Sequence, residues 1–208
     1  MSPIRPLAPD TILENGDRLN RAEFEHRYQG SKLRKAELIE GIVFVASPLR
    51  FLAHGEPHSQ MVGWLVAYQA QQGKKLKVGI EPTVRLDDHN EPQPDVVLFR
   101  VGGNARIDED GYLVGAPELI VEIAASTVSY DLHSKKRVYE RHGVKEYIVW
   151  RTLDGEIDWF ILNAGCYEPL TTDRQEIITS REFPGLRLNV SAMVNNDMGA
   201  VLQTLRQA

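Results

Sequence analysis

The chain has 208 residues, enough for one substantial core and too few to require two domains. Apolar residues make up 42% and charged residues 25%, the balance of an ordinary globular protein, and no apolar stretch approaches the ~20 residues of a membrane span. A formal charge of −5 argues against a simple nucleic-acid coat, and a single cysteine, Cys166, excludes an internal disulfide or a thiolate metal cluster.

Residues 1–16 lack the apolar segment of a secretory signal and read as a flexible N-terminal arm, with 17–208 as a single domain; a cytoplasmic location fits. A helix starts at about Asn20, which can cap it, and Glu23 falls three residues later, where a capping box wants an acid. AELIEGIVFVAS (36–47) is two apolar runs split by Glu40-Gly41, the pattern of a β-hairpin. In HSQMVGWLVAYQAQQG (58–73), Met61, Trp64, Leu65 and Tyr68 recur at the helical period and Gly73 stops the helix. Strand-like composition follows in KLKVGIEPTVRL (75–86), PDVVLFR (94–100) and ELIVEIAA (118–125), the last two separated by the polar loop GGNARIDEDGY. A helix over about 129–142 ends at Gly143. It leads into the strand EYIVWR (146–151), a hairpin around Asp154-Gly155, short strands to about residue 190, and a closing helix in MGAVLQTLRQA. This order predicts an α/β (α+β) fold with a mixed β-sheet flanked by helices. Basic residues cluster in KLRK (32–35), KKLK (74–77) and KKR (135–137), each the common pattern of a solvated face.

Glu122 interrupts the apolar run Leu119 to Ala125, whose composition is that of a buried strand. Ile120 and Ala124 share its face, so a solvated position fits poorly, and an unpaired carboxylate there would cost several kcal/mol. Glu122 therefore needs a cation, a metal, or a proton. Asp95 follows Pro94 at the start of another apolar strand. Alone it reads as a turn-capping aspartate; with Glu122 it supplies the two hard carboxylate ligands that Mg²⁺ accepts. On the helix at 129–142, Lys135 lies within the apolar arc of Val128, Leu132, Val138 and Tyr139, while Lys136 lies off it. Lys135 either points to the sheet, pairs with Asp131 at (i, i+4), or extends past Leu132 and Tyr139 to water.

The segments PQPDVVLF, PELIVEIAAS and DLHSKKRVYERHGVKEYIVW, preceded by AELIEGIVFVASP and His58, resemble the Uma-two family of restriction-endonuclease-like proteins over about residues 17–190. That resemblance implies a PD-(D/E)XK nuclease fold, a restriction-endonuclease-like core. It makes Asp95 the first acid and Glu122 the second. Position 124 is alanine where the superfamily's lysine usually stands, and the resemblance assigns that lysine to Lys135 on the following helix. Glu37 matches an additional acidic position, with Glu40 as its competitor. His58 matches a family histidine but reads as well as a satisfied histidine near a helix start. Ala124-Ala125-Ser126 replaces the family's Ser-Pro-Ser turn, which affects Ser126 more than the metal site.

What the resemblance implies is a Mg²⁺- or Mn²⁺-dependent endonuclease acting on nucleic acid, DNA first, with no membrane partner, and it admits a homodimer. Glu37 would complete the cluster, and Tyr139, one turn after Lys135, would pack against and hold the lysine. Two rivals stand beside it: an inactive nuclease-like module that binds nucleic acid or protein, and a structural ion pair between Glu122 and Lys135.

Overall fold

A computed structural model describes residues 12–206. Most of the arm expected over 1–16 lies outside the described residues. Its last residues are tied down: Leu13 is buried among apolar side chains, and Gly16 N–H donates to the Val43 carbonyl at 2.8 Å.

Helix α1 (Arg21–Gln29) is capped by Asn20, whose side chain accepts from Glu23 N–H at 2.9 Å. The reciprocal half of a capping box is missing, because the Glu23 carboxylate instead accepts from Arg27 Nε at 2.6 Å. Strands β1 (Ala36–Ile39) and β2 (Ile42–Val45) form the expected antiparallel hairpin. Its two turn residues, Glu40 and Gly41, both take positive φ, 53° and 72°, the requirement of a tight two-residue turn. A π-helical turn, Phe51–Gly55, precedes α2 (Glu56–Gln72). The chain leaves α2 at Gly73 with φ 67°.

Next come β3 (Leu76–Ile80), β4 (Val84–Arg85), β5 (Val96–Arg100), β6 (Arg106–Ile107), β7 (Leu113–Val114) and β8 (Leu119–Ala124). The segment expected as the plain loop 102–112 thus holds a strand. Strands β4, β7 and β6 build a small sheet of their own, whose Val84 and Leu113 are buried in the same core as Val97 and Phe99. The helix expected at 129–142 is broken into α3 (Val128–Tyr130), a π-helical turn (Asp131–Lys135) and α4 (Lys136–His142), ending on Gly143 in the left-handed region. Strands β9 (Glu146–Arg151), β10 (Glu156–Asn163), β11 (Cys166–Pro169), β12 (Ile177–Thr179) and β13 (Arg187–Asn189) follow, then α5 (Val190–Val194) and α6 (Met198–Arg206).

The main sheet has six strands in the order β11-β10-β9-β8-β5-β3, with β8 and β9 parallel and every other pair antiparallel. A parallel pair needs a crossover, and residues 128–142 supply it. Because side chains alternate along a strand, each central strand feeds two cores. Val96, Leu98, Val121, Ile123, Ile148 and Trp150 meet Met61, Trp64 and Leu65 of α2 and Val201 and Leu205 of α6. Val97, Phe99, Ile120, Ala124, Tyr147 and Val149 meet Val138 and Tyr139 of α4 and Ile39 of β1. Burying each such side chain contributes about 1.5–3 kcal/mol, so β8, with all six residues buried, tolerates one charged residue that costs several. Among the described residues, no helix is long and apolar enough to cross a membrane.

Candidate active site

Strand register brings the two acids together. Val96 pairs with Val121 and Val97 with Ile120, so Asp95, one residue before β5, falls opposite Glu122. Asp95 Oδ2 accepts the Ile123 backbone N–H at 2.7 Å, which closes the ladder with a side chain in place of a carbonyl. Both acids lie on the face of the sheet covered by β1 and the 128–142 crossover. Glu37 on β1 enters from above, its Oε1 accepting Gln93 N–H at 2.7 Å.

Lys135 sits at the last position of the π-helical turn. Its ammonium is 2.9 Å from Glu122 Oε1, 2.9 Å from Glu37 Oε1 and 3.7 Å from Asp131 Oδ1. Two of the options left open for this lysine are therefore realised together: it faces the sheet and it also approaches its (i, i+4) neighbour. Tyr139 Oη donates to Glu122 Oε1 at 2.8 Å. The tyrosine thus holds the carboxylate rather than the lysine, correcting the expectation that it would steady Lys135. Both hydrogen bonds that reach the Glu122 carboxylate end on Oε1, leaving Oε2 without one among the described residues.

Two further residues enter the site that sequence reasoning passed over. Lys35, the last residue of the KLRK cluster, turns inward: its ammonium lies 3.0 Å from Asp95 Oδ1 and 3.5 Å from Glu81. Its position just before β1 was the available signal, since β1 carries Glu37 two residues on. His54, on the π-helical turn Phe51–Gly55, places Nδ1 3.0 Å from the Ile123 carbonyl and Nε2 3.5 Å from Asp95 Oδ1. No periodicity marks a π-helical turn in a sequence, although such turns recur at functional sites.

The other candidates separate cleanly. Glu40 stays on the hairpin turn, exposed and 3.5 Å from Arg137 and Arg141. His58 is a satisfied histidine near the start of α2, its Nε2 2.9 Å from the Asp95 carbonyl. Ser126 is exposed and lines the mouth of the cavity; Lys136 lies off the site, 3.6 Å over the Phe160 ring.

Asp95, Glu122, Asp131 and Lys135 are each only 3% exposed, Glu37 6% and His54 7%. They line a cavity of about 390 Å³, to which residues 44–50 and Leu153 also contribute. Four carboxylates (Glu37, Asp95, Glu122, Asp131) face two ammonium groups (Lys35, Lys135), so carboxylates outnumber lysines by two. The proton affinities follow from this excess. Burial raises the Glu122 pKa well above the carboxylate range, and Asp131, Asp95 and Glu37 add to it against the opposing pull of Lys135. Burial alone would lower Lys135, but Glu122, Glu37 and Asp131 outweigh it and hold the ammonium charged. Burial likewise pushes Asp131 up to about 6. Asp95 is the exception: burial raises it, but Lys35, His54, Lys135 and the Ile123 N–H prevail and keep it below the usual range. Asp95 is thus the reliably ionised acid, and the Glu122–Lys135 pair holds its protons, as expected where carboxylates outnumber cations. Among the described residues, no three His, Cys, Asp or Glu side chains stand arranged to hold a metal ion; the carboxylates face ammonium groups instead.

The sequence pattern of Uma2, described as a putative restriction endonuclease family, matches residues 21–191. The chain belongs to the Uma2 family. The match spans every residue of the cluster, from Lys35 to Tyr139. No curated protein matches this Uma2 chain. Among solved structures it is similar to one described as a putative nuclease belonging to DUF820 from Anabaena variabilis ATCC 29413. The identity is 16% over 85% of this chain and 97% of that one, with a TM-score of 0.59. At that identity the likeness speaks for the fold, a mixed sheet flanked by helices shared across nearly the whole of the other protein.

Proposed function

We propose that this Uma2 protein is a metal-dependent endonuclease that hydrolyses phosphodiester bonds, DNA foremost, with Asp95 and Glu122 as ligands of a Mg²⁺ or Mn²⁺ ion. The observation that carries the proposal is the make-up of the cavity: two carboxylates brought opposite each other by strand register, in a cluster where four carboxylates outnumber two ammonium groups. The description of the family and that of the structural neighbour support the same chemistry.

Donor chemistry fits a hard cation, because Asp95 is held ionised and Glu122 keeps Oε2 free of hydrogen bonds among the described residues. A bound divalent ion supplies a Lewis acid against the phosphate and lowers the pKa of water. Lys135, anchored between Glu122 and Glu37, presents a fixed positive charge where negative charge develops on phosphorus, the term that usually dominates such catalysis. Glu37 keeps that lysine from swinging away, and Tyr139 keeps Glu122 in one rotamer. Lys35 neutralises Asp95 until a cation takes its place. A homodimer would place two such sites on one duplex.

The test is a panel of labelled single- and double-stranded DNA and RNA incubated with the purified protein in Mg²⁺, Mn²⁺ or EDTA. Cleavage confined to the metal-containing lanes is the expected result; cleavage undiminished by EDTA would remove the metal from the mechanism. A second reading, an inactive nuclease-like module, is favoured by one observation: Glu122 is already paired with both Lys135 and Tyr139. It predicts no calorimetric binding of Mg²⁺ or Mn²⁺ by the folded protein.

A further inference from the structure

We infer that His54 is a nitrogen ligand of the proposed ion and tilts the site towards Mn²⁺ and other first-row transition ions over Mg²⁺; this rests on the metal-dependent reading above.

His54 is 7% exposed, and its Nε2 is one of the few buried polar atoms with no hydrogen-bond partner among the described residues. Its other nitrogen, Nδ1, lies 3.0 Å from the Ile123 carbonyl. A carbonyl only accepts, so Nδ1 carries a proton and Nε2 is the nitrogen that can present a lone pair. Nε2 lies 3.5 Å from Asp95 Oδ1 without a hydrogen bond to it. Lone pair against carboxylate is repulsive, and leaving a buried acceptor unsatisfied costs about 1–3 kcal/mol. The arrangement makes sense when a cation lies between them.

Two donors bound to one ion at about 2.0–2.2 Å each stand roughly 3.0–3.5 Å apart for angles near 90–105°. The 3.5 Å separation of Nε2 and Oδ1 meets that requirement at its open end. The hydrogen bond from Nδ1 to a backbone carbonyl is also the contact that fixes tautomer and ring direction in metal-bound histidines. Here the carbonyl belongs to Ile123, whose N–H holds Asp95 Oδ2 at 2.7 Å, so one residue of β8 orients both donors. The ring packs edge-on to His58, with centroids 5.6 Å apart, and His58 is occupied by the Asp95 carbonyl. Of these two histidines, only His54 lines the cavity. Imidazole suits Mn²⁺, Co²⁺, Ni²⁺ and Zn²⁺, whereas Mg²⁺ keeps to oxygen and water.

The experiment is pulsed electron paramagnetic resonance of Mn²⁺ added to the full-length protein, read for the ¹⁴N coupling of a directly bound imidazole, with Mn²⁺ and Mg²⁺ affinities from calorimetry. The wild type should show the coupling. His54→Gln should lose it and bind Mn²⁺ roughly tenfold or more weakly, with a much smaller change for Mg²⁺; His58→Gln should keep it. Mn²⁺ bound by the wild type without ¹⁴N coupling would overturn the assignment of His54 while leaving the metal site standing, whether or not His54→Gln folds. Coupling retained in a folded His54→Gln protein would overturn it too. Failure of the wild type to bind Mn²⁺ at all would overturn the metal-dependent reading, and this inference with it.

Discussion

Lys135 Nζ lies 2.9 Å from Glu122 Oε1, the two side chains meeting where a π-helical turn crosses the central parallel strand, both almost wholly shielded from solvent. The pair is not isolated: Glu37 and Asp131 make it a lysine among three carboxylates. Such a cluster resists removal of its cation far more than loss of one anion. Lys135→Met should therefore destabilise the metal-free protein by about 3–5 kcal/mol at pH 8, the cost of leaving a buried charge unpaired. Added Mn²⁺ should return part of the loss. Urea unfolding with and without the ion checks this, and an unchanged midpoint in the variant would show that Lys135 neutralises nothing.

Glu122→Gln should behave in the opposite way. The amide oxygen still accepts from Tyr139 and Lys135, while the excess negative charge that raises the Glu122 pKa disappears. We expect a melting temperature equal to or above that of the wild type, together with loss of cleavage and of metal affinity. Thermal melts run beside a nuclease gel read both. A destabilised Glu122→Gln protein would favour a purely structural ion pair.

Tyr139→Phe removes one of the two donors to Glu122 and nothing else of volume. Its stability cost should be about 1 kcal/mol, and metal affinity should fall on the order of 10- to 100-fold, the range for loss of a group that orients a ligand. Activity equal to wild type at limiting Mn²⁺ would mean that Tyr139 only fills space.

Lys35→Met should bind Mn²⁺ more tightly than the wild type, because the ammonium 3.0 Å from Asp95 Oδ1 competes with the ion for the same oxygen. The same change should weaken the metal-free protein, since Asp95 loses its nearest cation. Calorimetry decides it; weaker Mn²⁺ binding would make Lys35 part of the binding shell rather than its rival.

Away from the site, Glu91 provides a pH test of the fold. Burial, with Glu25 beside it, pushes its pKa from 4.5 up to about 8, while Arg85 opposes. A folded pKa above the unfolded one means that the native state binds the extra proton, so this contribution is complete below pH 4.5 and is lost as pH rises towards about 8. Glu91→Gln should lack that loss. Its stability advantage should grow between those two pH values and then level off, as read by urea unfolding across a pH series; parallel curves for the two proteins would contradict the assignment.

The parts of this architecture that local chemistry dictates were readable from the chain. Glu40-Gly41 demands positive φ twice and so announces the hairpin, Gly73 and Gly143 end their helices, and Glu122 stands out because an apolar strand has no ordinary place for a carboxylate. The inward direction of Lys135 was reached through a regular helical arc, yet the helix is not regular there: a π-helical turn carries the lysine to the sheet. Lys35 and His54 were missed because their directions depend on tertiary packing. A lysine in KLRK has the composition of a solvated face, and a histidine in an aperiodic turn has no face at all. The small sheet that β6 joins was hidden likewise, since two-residue strands leave no alternation to detect.

The central claim is that Asp95 and Glu122 serve a metal-dependent nuclease, and nicking of supercoiled plasmid tests it most directly. Wild-type protein and an Asp95→Ala preparation, purified identically and shown to be folded, would be incubated at low salt with Mg²⁺ or Mn²⁺. The account predicts conversion to nicked or linear DNA by the wild type alone, abolished by EDTA. Equal conversion by Asp95→Ala, or none by a wild type that also fails to bind either ion, would contradict it.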